Sequence, residues 1–66
     1  MMKITVNGRE IDFTGATVQD IITRFDLDID VLVVERNGVI VHREDVATTM
    51  VHDGDEFELV RFVGGG

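Results

Sequence analysis

The chain has no cysteine and no serine. Without a thiol it can form no disulfide, no Cys-ligated zinc site and no sulfur nucleophile of its own, which excludes cysteine hydrolases and dithiol redox proteins. Without serine, the two histidines, His42 and His52, have no hydroxyl of the usual hydrolase kind to activate, and the threonines sit in no supporting constellation. Both histidines therefore read as surface or turn residues. Basic residues are scarce: six lysines and arginines stand against thirteen aspartates and glutamates, a net charge of -7. That charge repels phosphate backbones and anionic lipid headgroups, so no nucleic acid and no membrane is expected as a partner, and a basic protein surface is the better match. Long apolar runs are missing too. The opening "MMKITVNG" passes at once into alternation, with neither the apolar stretch of a signal peptide nor a membrane span, and a soluble cytoplasmic protein is the expectation. No glycine-rich loop joins a strand to a helix, so nothing cradles phosphate.

What is present suffices for one small domain. A chain of 66 residues buries only about 60% of the surface it exposes when unfolded, and its core must come from aliphatic residues and four phenylalanines. In "KITVNGREIDF", Ile4 and Val6 share one side of a first run, Ile11 and Phe13 one side of a second, with Asn7-Gly8 between them. Alternation around Asn-Gly predicts a hairpin, because a type I′ turn needs positive φ at both central positions. "TVQDIITRF" follows, where Val18, Ile21, Ile22 and Phe25 recur at helical spacing and Thr17 with Asp20 reads as a capping box.

A dense β-branched run, Val31 to Val34, then leads to a second Asn-Gly pair at 37–38 and the short run Val39 to Val41. "HREDVATTMV" offers no more than a helical turn, with Val46, Met50 and Val51 expected to face inward. An Asp-Gly turn at 53–54 opens a last strand, Glu56 to Val63. One helix between a hairpin and further strands predicts an α+β domain of the β-grasp, ubiquitin-like kind. It should have a mixed sheet of about four to five strands, one main helix packed on one face, and the last strand in its middle. The domain is expected over residues 1–63, with 64–66 a flexible glycine tail.

Two acidic stretches test as metal sites. "DLDID" at 26–30 has the spacing that opens a calcium loop. Counted from Asp26, however, the position that must be glycine is Val31, and the one that must be a bidentate glutamate is Asn37. It reads as a solvated loop. "DGDEFE" at 53–58 reads as a solvent-facing strand edge, its glutamates alternating with Phe57. No metal is expected.

The end of the chain carries more information. Phe57 and Leu59 share one face of the last strand, Val60 and Phe62 the other, so the strand is apolar on both sides. Either the loop at 43–51 covers Val60 and Phe62, or they form an exposed patch that docks a partner. Beyond them, Gly64, Gly65 and Gly66 remove every side chain. About 10 Å of extended chain can then thread a narrow channel, and the terminal carboxyl is unhindered. That suits attack on an activated acyl group, with the C-terminal carbonyl carbon as the reacting atom.

"VERNGVIVHRE" followed by "DGDEFELVRFVGGG" resembles the ThiS family, the sulfur carrier proteins of thiamin biosynthesis. The likeness extends through the opening hairpin and "TVQDII" over essentially the whole length. Di-glycine ends are common to all ubiquitin-like carriers; the "ERNG" turn with "DGD…VRFVGGG" is narrower. The chain departs from the family where it has His42 in place of a frequent proline and Val46 in place of an aromatic. The resemblance implies that the Gly66 carboxylate is adenylated with ATP by a ThiF-like adenylating enzyme, takes sulfur from a persulfide to become a thiocarboxylate, and is consumed by a ThiG-like thiazole synthase. Gly64 and Gly65 would thread, and Val60, Arg61 and Phe62 would dock. The chain would be a co-substrate with no bound cofactor and no catalytic residue, monomeric when free. A molybdopterin-synthase sulfur carrier, a ubiquitin-like modifier of lysines and a plain interaction module remain open alternatives.

Overall fold

Two Asn-Gly pairs shape the sheet. The computed structural model describes residues 1–62; Val63, the glycines at 64–66 and the expected tail boundary lie outside them. Strand β1 (Met2–Val6) turns through Asn7 and Gly8, at φ 50° and 80°, into antiparallel β2 (Arg9–Phe13). Strand β3 (Leu32–Arg36) turns through Asn37 and Gly38, at φ 51° and 83°, into β4 (Val39–Val41). Asparagine is among the few side chains that tolerate this left-handed region, and glycine follows it at no steric cost. The final strand β5 (Glu56–Arg61) lies between the hairpins, parallel to β1 and antiparallel to β3, in the order β2-β1-β5-β3-β4. This is the expected α+β, ubiquitin-like β-grasp sheet, with five strands.

Among the described residues there is one α-helix, α1 (Val18–Arg24), and it covers one face. The Asp20 carboxylate accepts from the backbone N–H groups of Ala16 and Thr17, satisfying donors that the helix start leaves free. Val18, Ile21 and Ile22, all at 2% exposure or less, pack with Ile4, Val6, Phe13, Leu32, Val34, Phe57 and Leu59 from the sheet. At Gly15 an added β-carbon would fall 2.4 Å from the Phe13 ring and 2.7 Å from the Asp20 β-carbon, so only glycine lets the chain turn this tightly into α1.

Two core expectations need correction. Phe25 is not the end of the helical stripe: α1 stops at Arg24, Asp26 takes φ 54°, and Phe25 is left 39% exposed with the Arg24 guanidinium 5.9 Å from its ring centre. Met50 is 52% exposed, because the chain goes on turning through residues 46–48 after the 3-10 turn Arg43–Asp45 and only then extends, with Met50 bridging Thr17. Alternation there sends Val51 inward and Met50 out, while Val46 is buried as expected.

Candidate functional site

Strand β5 is held on both flanks, and each Asn-Gly turn adds a side-chain clamp to it. The Asn7 amide accepts from the Leu59 N–H at 2.7 Å and donates to the Leu59 carbonyl at 3.2 Å. Asn37 mirrors it, accepting from the Glu56 N–H at 2.9 Å while its own N–H donates to the Glu56 carbonyl at 2.7 Å. The Phe62 N–H still donates to the Val31 carbonyl at 3.0 Å, which carries the pairing one residue past the strand. The residues after Phe62 thus continue from a fixed point at the rim of the sheet.

Asp55, the residue before β5, corrects the reading of "DGDEFE" as uniformly solvent-facing, since it is only 6% exposed. Its carboxylate accepts from Arg36 Nε at 2.9 Å, from Asn37 Nδ2 at 3.1 Å and from the His52 backbone N–H at 2.8 Å. Burial pushes the carboxyl pKa up, but the bonds from His52, Asn37 and Arg36 together outweigh it and hold the group below the ordinary aspartate value. Arg36 also donates to His52 Nδ1 at 2.7 Å. The other histidine, His42, is exposed ahead of the 3-10 turn, as expected. The parity of Phe57 and Leu59, carried back two residues, places Asp55 on their inward side. That signal was present in the sequence.

On the face away from α1, Val60 and Phe62 are 49% and 46% exposed. The loop that could have covered them runs on the other side, where Gln19 and Val18 N–H groups donate to Val46 and Thr49 and the Val51 N–H donates to Ala16. Val60 and Phe62 are thus exposed and not covered by the loop at 43–51. Val33 pairs with Val60, and Ile40 on the edge strand is 54% exposed. Beside these apolar residues runs an acidic band: Glu35 stands opposite Glu58, and Thr5 lies between Glu10 and Glu56. Among the described residues none of these four glutamates is in an ion pair. Like charges facing each other across strands cost up to about 1 kcal/mol, so this band opposes folding stability.

The structure brings Val60 and Phe62 to one face and puts Arg61 on the other, with Leu59, because adjacent strand residues point oppositely. Gly64, Gly65 and Gly66 lie outside the described residues. Among those described, no three His, Asp or Glu side chains gather as metal ligands, and no helix is long and apolar enough to cross a membrane.

The geometry has close relatives. A thiazole synthase of Paramagnetospirillum magneticum is 39% identical over 66 residues, a match covering 98% of this chain but 20% of the synthase, so the chain spans about a fifth of that relative's length. The sulfur carrier protein ThiS of Bacillus subtilis is 35% identical over 66 residues, covering 96% of this chain and 98% of that one. In three dimensions, the crystal structure of a thiamine biosynthesis protein (ThiS) from Geobacter metallireducens superposes with a TM-score of 0.83 at 35% identity, over 98% of this chain and 100% of the other. The ThiS family model matches residues 4–66, from the first buried strand residue through the terminal glycines. With the β-grasp sheet, the central last strand and the family pattern coinciding over nearly the whole length, the chain belongs to the ThiS family.

Proposed function

We propose that the chain is a sulfur carrier of thiamin biosynthesis, acting through the carboxylate of Gly66. The observation that carries this reading is the family match running unbroken through residue 66, over a strand anchored to its last described residue. A carboxylate is inert to nucleophiles. Attack of its oxygen on the α-phosphorus of ATP, with loss of pyrophosphate, gives an acyl-adenylate. A persulfide sulfur then adds to the carbonyl carbon and AMP leaves, forming a C–S bond. Cleavage of the remaining S–S bond by a donor-enzyme thiol leaves the thiocarboxylate and an enzyme disulfide. ATP and persulfide sulfur are thus used by the partner enzymes, and the carrier holds neither. A chain without cysteine can carry sulfur in this way, and its surroundings would be the ATP-containing cytoplasm.

The chain is consumed as a co-substrate, first by a ThiF-like adenylating enzyme and then by a ThiG-like thiazole synthase. The second partner is supported by the Paramagnetospirillum synthase, in which a segment like this chain is part of the same polypeptide. Gly64 and Gly65 thread the partner's channel, and the exposed Val60 and Phe62 dock beside it with the acidic band against basic groups. Incubation with ATP, the adenylating enzyme and a persulfide donor should raise the intact mass by one oxygen-for-sulfur exchange at Gly66. Removal of Gly65 and Gly66 should abolish that gain and thiamin-auxotroph complementation with it. A lysine-linked adduct instead, or complementation by the truncated chain, would overturn the reading.

A further inference from the structure

On the α1 side of the sheet the core thins at one end. Because α1 spans only Val18–Arg24, it leaves Val6, Leu32 and Leu59 at 7–8% exposure, the highest of the buried apolar residues. They floor a groove of about 400 Å³ walled by Phe25 and Leu27 and flanked by Arg9 and Arg61. The charges around it run against those of the rest of the molecule. Of the six cationic side chains, Lys3 pairs with Asp12, Arg36 with Asp55 and Arg43 with Asp30, while Arg24 donates to the Asp12 carbonyl. Among the described residues Arg9 and Arg61 pair with no carboxylate, and both stand at this groove. A chain of net charge -7 thus places two cations without a carboxylate partner among the described residues at the rim of one apolar groove.

We infer that this groove takes a short acidic, apolar segment of a partner protein, its carboxylates on Arg9 and Arg61 and an apolar side chain on Leu32 and Leu59. Charge complementarity selects that occupant. Arginine pairs bidentately with carboxylates, and an apolar floor between two guanidinium groups matches an apolar residue between acidic ones. Nucleic acid fits worse, since two cations cannot offset the repulsion of the surrounding acidic surface. The carrier thereby has two docking faces of opposite charge, the acidic open face for basic groups and this groove for acidic ones.

The test is an amide NMR titration of the full chain with the probe acetyl-Glu-Leu-Phe-Asp-amide, and separately with acetyl-Lys-Leu-Phe-Lys-amide. The acidic peptide should move the amides of Val6, Asn7, Arg9, Leu27, Leu32 and Arg61 and leave Val33 and Ile40 in place; the basic peptide should not move the groove. Arg9→Gln and Arg61→Gln, singly and together, should keep the folded spectrum because both side chains are exposed. The double variant should weaken the acidic peptide by about tenfold, and salt should weaken it further through screening. The inference is overturned by no groove shifts at millimolar acidic peptide, by equal response to both peptides, by unchanged binding in the double variant, or by groove shifts on diluting the chain alone, which would make a second copy the occupant. No ATP or sulfur donor is used, so the outcome is separate from that of the mass-shift experiment.

Discussion

Asp55→Ala tests the polar network that holds the start of the last strand. The substitution removes one acceptor that serves three donors, Arg36 Nε, Asn37 Nδ2 and the His52 N–H. A hydrogen bond to a charged group contributes about 1.5–3 kcal/mol, so the Asn37 and His52 bonds at the low end amount to about 3 kcal/mol. The Arg36 ion pair adds little, about 0.5 kcal/mol, because the arginine is in part solvated and screened. Together these come to about 3.5 kcal/mol; in a domain of this size 1 kcal/mol shifts the melting temperature by about 4–8 °C, so Asp55→Ala should melt about 14–28 °C lower at neutral pH. The difference should also depend on pH. The folded-state pKa of Asp55 lies below the unperturbed 3.8, so its contribution is complete above that value and is lost as pH falls through the folded pKa. The gap between wild type and variant should therefore narrow in acid. Asp12 and Asp20, whose pKa values are also lowered, are present in both proteins and leave that difference untouched. Thermal melts by circular dichroism across pH measure it. A melting point within about 3 °C of wild type at neutral pH, or a gap that stays constant into acid, would refute the account.

Val60→Asp with Phe62→Asp should spare the fold, because both side chains are half exposed, and should weaken binding to the adenylating enzyme. Full burial of such a side chain is worth about 1.5–3 kcal/mol, so covering the exposed halves of two gives about 2 kcal/mol, or about thirtyfold in Kd. Calorimetric titration reads the loss, and unchanged affinity would remove this patch from the docking surface. Gly15→Ala should destabilise by about 1–3 kcal/mol, because the new methyl would overlap the Phe13 ring and Asp20; denaturant unfolding measures it, and a neutral result would mean that the turn into α1 yields more readily than its packing implies.

Much of this molecule was legible in its residue order. Turn chemistry requires positive φ at Asn7-Gly8 and Asn37-Gly38, and helical spacing commits Val18, Ile21 and Ile22 to one buried stripe. Those are local rules, which one stretch of chain satisfies by itself, and with the family likeness they sufficed for the β-grasp fold and the carrier reading. Where α1 would stop was not legible, because Phe25 continues the apolar spacing and only the reversal at Asp26 takes it out of the core. The partners of Asp55 were not legible either, since Arg36 and Asn37 reach it only when β3 lies beside β5. The exposure of Val60 and Phe62 was undecided for the same reason. A two-sided apolar strand fixes no cover, and it was the loop at 43–51 binding the start of α1 that left one face open. Arg9 and Arg61 lie far apart in sequence and meet over one groove because β1 and β5 run parallel in the middle of the sheet. Residue order determined the elements and the family pattern; tertiary structure alone decided which faces stay open, because exposure depends on what packs where and not on any single stretch of sequence.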